Sequence, residues 1–210
     1  MQEYCTLFQD GSGVYEEKKS KFIGEAHPVG TEEEVLKLLD EARKRYYDAR
    51  HHCYAYVLGL AEDNVKCSDD GEPQKTAGVP ILNVIRGAGL TDVLVIVTRY
   101  FGGTLLGTGG LQRAYTKAAA LALEDGGVLK KSPAALFRLS SEYTDFGKIR
   151  YYCQEAGFLI QDEVYSDKVG YSVPVPLPEE EAFRKKVMDL TAGRTLFTAQ
   201  KEITLDQRIR

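Results

Sequence analysis

Between Thr98 and Tyr115 the chain reads Thr98-Arg99-Tyr100-Phe101-Gly102-Gly103-Thr104-Leu105-Leu106-Gly107-Thr108-Gly109-Gly110-Leu111-Gln112-Arg113-Ala114-Tyr115, with five glycines inside nine residues. The apolar run Val93 to Val97 precedes this segment, and an alanine-rich helical run, Ala114 to Leu123, follows it. A strand that passes through such a turn into a helix presents backbone N–H groups at the positive end of a helix dipole. That is a place for an anion, above all a phosphate. Gly102, Gly103, Gly107, Gly109 and Gly110 would form the cradle, and Arg99 and Arg113 could grip the same anion in bidentate fashion. The plainer alternative is a tight turn whose glycines only supply positive φ, although so many clustered glycines exceed what a turn needs.

Two familiar phosphate patterns fail here. Gly102 and Gly107 have the outer spacing of a P-loop, but Thr108 and Gly109 stand where lysine and a hydroxyl residue should follow. Gly107-Thr108-Gly109 opens a dinucleotide fingerprint, yet Gln112 occupies the third glycine position. An ordinary nucleoside triphosphatase or nicotinamide dehydrogenase is therefore not expected.

Three further groups of residues could do chemistry. On a strand starting at His51, side chains alternate, so His51, Cys53, Ala55 and Val57 share what reads as the core face. His52, Tyr54 and Tyr56 share the other, either as a cleft wall that stacks on a base or as aromatics packed under a helix. Adjacent strand residues diverge, which weakens zinc ligation by His51, His52, Cys53 and Cys67, and an apolar face does not activate Cys53. Asp69, Asp70 and Glu72 flank Gly71 in a tight acidic turn. They read as a Mg²⁺ site, as carboxylates orienting Arg99 or Arg113, or as a solvated turn with Asp69 as a cap. Thr76, in Thr76-Ala77-Gly78, could offer a hydroxyl to the same cleft.

The elements that must position these groups follow from periodicity. Ser20 to Val29 reads as a strand, and Thr31 with Glu34 as a capping box ahead of a helix reaching Tyr46. His52 to Gly59 reads as a strand, Leu60 to Gly78 as polar and turn-rich, and Val79 to Ile85 as a helix. A buried strand over Asp92 to Tyr100 leads into a helix over Gly109 to Glu124. Lys130 to Pro133 looks like a linker. Beyond it, strand Ala134–Ser141, helix Asp145–Ala156, strands Leu159–Ser166 and Gly170–Leu177, helix Glu179–Thr191 and strand Thr195–Thr204 spell βαββαβ. This is the ferredoxin-like order.

Composition narrows the classes. No apolar run approaches the roughly 20 residues that span a bilayer, and Met1 to Gly13 shows no secretory pattern. Four scattered cysteines without a C-x-x-C pair read as reduced thiols, so a cytoplasmic location is expected. Residues 1–130 carry 15 basic and 19 acidic groups and the remainder 12 of each, giving a net charge of −4. Neither half is strongly basic, which argues against tight electrostatic binding to RNA.

Four blocks together resemble the IMPACT/YigZ family: Ser20-Lys21-Phe22-Ile23-Gly24; Arg50-His51-His52-Cys53-Tyr54-Ala55-Tyr56; Ser68-Asp69-Asp70-Gly71-Glu72-Pro73 with Thr76-Ala77-Gly78 and Pro80-Ile81-Leu82; and the glycine segment itself. The resemblance implies an α+β chain of two domains. The first, residues 1–129, would be a two-layer domain like ribosomal protein S5 domain 2. The second, residues 134–210, would be a ferredoxin-like domain similar to the last domain of a translocating elongation factor. It also implies cytosolic proteins tied to control of translation. Eukaryotic members bind the activator of an initiation-factor kinase through an additional domain, an interaction this sequence is not expected to share. Val79 and Leu105 stand where relatives often carry basic residues and Lys75 where a small one is usual, which lightens the charge around the cleft.

The expectation is a noncatalytic translation-linked factor, monomeric and free of membranes, that binds RNA, the ribosome or a translation-associated protein. Its cleft would be lined by His52, Asp70, Glu72, Thr76, Arg99 and Arg113, with the glycine loop holding a phosphate-bearing ligand and no cofactor required. The alternative is a Mg²⁺-dependent enzyme acting on a phosphorylated small molecule or nucleotide, with Asp70 or Glu72 on the metal and Arg113 on the phosphate.

Overall fold

The computed structural model describes residues 2–60 and 64–209. The chain forms two compact units: Tyr4–Lys130 with Gln207–Arg210, and Lys131–Asp206 with Met1–Glu3. It is mixed α+β throughout, and no helix among the described residues is long and apolar enough to cross a membrane.

The first unit begins with strands β1 (Tyr4–Leu7), β2 (Gly11–Glu17) and β3 (Ser20–Pro28) and helix α1 (Glu32–Arg45). Strands β4 (His51–Leu58) and β5 (Asn64–Ser68), helix α2 (Gly78–Gly87), strand β6 (Val93–Tyr100) and helix α3 (Gly107–Gly126) complete it. The sheet runs β2-β3-β6-β4-β5 and every neighbouring pair is antiparallel. Val93, Val95 and Val97 of β6 face α2 and α3, whereas Leu94 and Ile96 face α1 with Tyr56 and Leu58. The apolar run of β6 is unbroken because helices cover both of its faces. The first unit therefore has three layers, one more than expected, with α1 on the far side of the sheet. Its start is fixed locally, since Thr31 Oγ1 accepts from Glu34 N–H and Glu34 Oε2 accepts from Thr31 N–H, the reciprocal capping box.

Helix α3 lies unusually close to the sheet. A Cβ at Gly11 would fall 2.2 Å from Ala122 O, one at Gly13 2.5 Å from Leu121 Cβ, and one at Gly24 2.4 Å from Ala118 O. Glycine on the strands and alanine on the helix (Ala118, Ala119, Ala122) let the two backbones meet. Strands β1 and β2 are absent from the sequence expectation, and so is β5, which sits inside the segment read as turn-rich. Residues 61–63 of that segment lie outside the described residues.

The second unit follows the expected βαββαβ order: β7 (Val128–Ser141), α4 (Tyr143–Ala156), β8 (Gln161–Tyr165), β9 (Val169–Pro176), α5 (Glu180–Thr191) and β10 (Leu196–Arg208). Strand β9 lies between β7 and β8 and is antiparallel to both, and β10 pairs with β7. Phe137, Leu139, Tyr171, Val173 and Val175 meet Phe146, Ile149, Phe183 and Val187 of the two helices. Gly157 stops α4 in the left-handed region at φ 76°. Lys130 to Pro133, where the two units divide, is strand and not irregular chain, since β7 starts at Val128 and runs through it.

Candidate functional site

The acidic turn after β5 folds on its own carboxylates. Asp69 Oδ1 accepts from the N–H groups of Ala77 and Gly78, and Oδ2 accepts from Lys75 N–H. Asp69 thereby caps α2, whose own N-cap, Ala77, has no side-chain oxygen. Burial works against this carboxylate, but backbone donors from Ala77, Gly78, Lys75 and Thr76 outweigh it and hold its pKa below the ordinary value. Asp70 Oδ2 accepts from the His52 N–H at 2.7 Å, and its carbonyl accepts from His51 Nδ1 at 2.9 Å. Gly71, at φ 84°, passes so near that a Cβ there would stand 3.4 Å from His51 Nδ1. The positive φ is what favours glycine here.

The next carboxylate ends in a buried cluster. Glu72 Oε1 accepts from Arg99 Nη1 at 2.6 Å and from the Tyr115 hydroxyl at 2.8 Å. Cys53 Sγ lies 3.3 Å from that hydroxyl and 3.0 Å from Asp69 O, to which it donates. The Arg99 guanidinium lies over the rings of Phe22 at 5.4 Å and Phe101 at 5.6 Å. Burial pushes the Cys53 thiol far up, and burial, Cys53 and Glu72 do the same to Tyr115. Both stay protonated and hold the glutamate in place rather than attack a substrate. Arg99 Nε has no partner although it is buried. A donor so stranded costs about 1–3 kcal/mol.

Beyond Arg99 the chain enters the glycine loop. Gly102 must be glycine, because a Cβ would fall 2.0 Å from the Lys19 carbonyl carbon, and its N–H donates to Ser20 Oγ at 3.0 Å. The loop is thus seated on the β2–β3 hairpin, whose exposed tip is Lys18 and Lys19, both at positive φ. No side chain caps α3 at Leu106, and Gly107 and Gly109 are exposed on its first turn. Arg113 is exposed and folds back along that turn, with Nη1 3.5 Å from where a Gly109 Cβ would be. A cavity of about 520 Å³ joins Arg50, His51 and Arg99 to Phe101 and Leu105 of the loop.

The structure therefore divides the residues picked from sequence. Arg99 and Glu72 meet, next to the turn that holds Asp70, and Gly102 and Gly103 follow Arg99 directly. His52 lies elsewhere: strand alternation turns it toward α1, where its Nε2 is 3.2 Å from Tyr46 O and burial lowers its pKa. Its neighbour His51 is the histidine that pairs across the sheet with Arg99 and lines the cavity. Thr76 Oγ1 donates to Pro73 O at 2.6 Å, so that hydroxyl secures the turn. Tyr56 is buried beneath α1, with its hydroxyl donating to Glu32. Among the described residues no three His, Cys, Asp or Glu side chains converge for a metal, and the acidic turn has given its carboxylates to protein donors. His51, Tyr115, Lys18 and Lys19 were not chosen from the sequence, although Tyr115 closes the glycine segment and His51 sits beside His52.

A glycine turn opening a helix beside a buried glutamate–arginine pair, all at one end of an antiparallel sheet, marks a two-unit α+β protein with a polar cleft in its first unit. Residues 18–123 match the family model of the Impact N-terminal domain, and residues 139–194 match a domain of unknown function, DUF1949. The chain belongs to the IMPACT family. It is 37% identical to IMPACT family member YvyE of Bacillus subtilis, over 93% of this chain and 90% of that one. It is 35% identical to IMPACT family member YigZ of Escherichia coli, over 90% and 94% respectively. A solved structure titled as the crystal structure of an hypothetical protein superposes with a TM-score of 0.61 at 32% identity, covering 93% of this chain and 96% of that one.

Proposed function

We propose that this chain is a cytoplasmic, monomeric, translation-linked regulatory factor that binds phosphate-bearing RNA, free or in the ribosome, through the glycine loop of its first domain. Family membership supports the link to translation, as the resemblance implied. The observation that carries the RNA reading is the uncapped start of α3, flanked by exposed Arg113 and by the Lys18–Lys19 tip that seats the loop. Gly103, Gly107 and Gly109 supply backbone donors, while Gly102 seats the loop on Ser20 and Gly110 lies buried in the first turn of α3. Arg113 and the two lysines supply charge, and Arg99, Glu72, Asp70 and Thr76 hold the floor. In this reading residues 1–129 form an S5 domain 2-like domain with α1 added on its second face. Residues 134–210 form a ferredoxin-like domain, which the pairing of β7 with both β9 and β10 supports.

Binding of labelled single-stranded RNA and of purified ribosomes, measured across a salt series, tests it. Affinity should fall with salt, and Arg113→Ala combined with Lys18→Asn and Lys19→Asn should cut the logarithmic slope by about 0.7 per lost phosphate contact. Asparagine tolerates the positive φ of both lysine positions. Salt-independent binding, or an unchanged slope in the triple variant, would overturn the reading.

A further inference from the structure

The cavity below the glycine loop has walls of three kinds. One is cationic: Arg50 stands exposed at the mouth with no ion pair or hydrogen bond among the described residues, and Arg99 lies at the floor with its Nε–H unsatisfied. The second is apolar and open, formed by Phe101 at 58% and Leu105 at 83% exposure. Side chains of that size left in solvent beside a cavity are ready to cover a flat ring. The third carries Asp48, whose Oδ1 accepts from the Tyr100 hydroxyl at 2.8 Å and whose carboxylate has room for further donors.

His51 completes the set. Its Nδ1 faces the Asp70 carbonyl, which only accepts, so Nδ1 carries the proton and Nε2 of the neutral ring keeps its lone pair. The hydrogen bond to Asp70 O sets that orientation. Nε2 is therefore placed to accept from a ligand hydroxyl.

We propose that this cavity binds a nucleoside 5′-monophosphate, free or as the 5′ end of an RNA. Arg50 and Arg99 take the phosphate, Phe101 and Leu105 cover the base, and Asp48 with His51 Nε2 addresses the ribose hydroxyls. A volume of about 520 Å³ suits a ligand of this size. The proposal goes beyond the RNA-binding reading and stands if that reading fails, because it uses the cavity and not the hairpin tip or Arg113.

Calorimetric titration with AMP, GMP, CMP and UMP, with adenosine and inorganic phosphate alongside, tests it directly. At least one mononucleotide should bind tenfold or more tighter than either fragment. Arg50→Ala should weaken that binding at least tenfold and Phe101→Ala at least threefold; both residues are exposed, so the fold survives. Matched 5′-phosphorylated and 5′-hydroxyl RNAs distinguish the source, and a tenfold preference for the phosphorylated end identifies RNA. The Arg113, Lys18 and Lys19 triple variant should keep mononucleotide affinity while losing salt-dependent RNA binding, which separates the two proposals. Absence of binding by both mononucleotides and 5′-phosphorylated RNA would overturn the inference. So would affinity unchanged in Arg50→Ala and Phe101→Ala, or inorganic phosphate binding as well as any mononucleotide.

Discussion

Two arginine–carboxylate pairs with a buried acid, Arg99–Glu72 in the first unit and Arg194–Asp145 in the second, are built to opposite plans. In the second unit Asp145 receives Arg194 in a two-pronged grip, Nε to Oδ2 and Nη2 to Oδ1, both at 2.8 Å, with Lys148 as a third donor. The aspartate side chain is 1% exposed, whereas Arg194 is 55% and Lys148 50% exposed. The cations stay hydrated and both oxygens of the aspartate are taken, so the pair ties the start of α4 to the loop before β10. In the first unit both partners are buried, Arg99 at 7% and Glu72 at 3%, and the contact is one-pronged. One donor of that fork is left over beside a cavity. The acid of the second pair is fully satisfied by hydrated cations, whereas the first pair keeps a buried donor without a partner.

The contrast breaks most visibly at Glu72. Glu72→Ala leaves a buried guanidinium with no counter-charge, and urea unfolding should register a loss of about 3–5 kcal/mol. Amide exchange should place that loss in β4, β6 and α3. A loss below about 1 kcal/mol would mean that Arg99 finds water easily, and the contrast would collapse. Tyr115→Phe removes one charge-assisted hydrogen bond to Glu72, at a cost of about 1.5–3 kcal/mol by the same measurement. A neutral result would show that the hydroxyl is dispensable and the cluster looser than its geometry.

The second pair should respond most gently, and to acid. The Arg194 hydrogen bond outweighs burial and, with Lys148, holds the Asp145 pKa at about 2, below its ordinary 3.8. The unfolded chain then takes up the proton first, so the stabilisation is whole above about pH 4 and drains away as pH falls toward 2. Arg194→Ala should flatten that acid slope while costing less at neutral pH than Glu72→Ala. An unchanged slope would show that the grip is not what depresses the pKa.

Much of this was legible in the sequence, and the omissions have physical causes. The capping box at Thr31, the strand before Arg99, the alanine-rich helix and the stop at Gly157 are local signals, and local signals survive folding. Strand β2 escaped because Gly11 and Gly13 lower strand propensity, yet those glycines are what α3 requires. Lys130-Lys131-Ser132-Pro133 has the composition of a linker but pairs as strand. In the site, alternation on β4 correctly separated His51 from His52. It gave no warning that the core face, lined by Cys53 and Ala55, turns polar at its end. Expectation named His52, which turns toward α1, and not His51, which lines the cavity.

The glycines beneath α3 have one more consequence. Because Gly11, Gly13 and Gly24 seat the helix at backbone distance, they act as a gauge block for everything at its far end. A methyl group added at any of them would lift or rotate α3, and the first turn would carry that error to the loop as a change of aim. The tolerance of the cleft is thus machined well away from it, into strand residues that never meet a ligand.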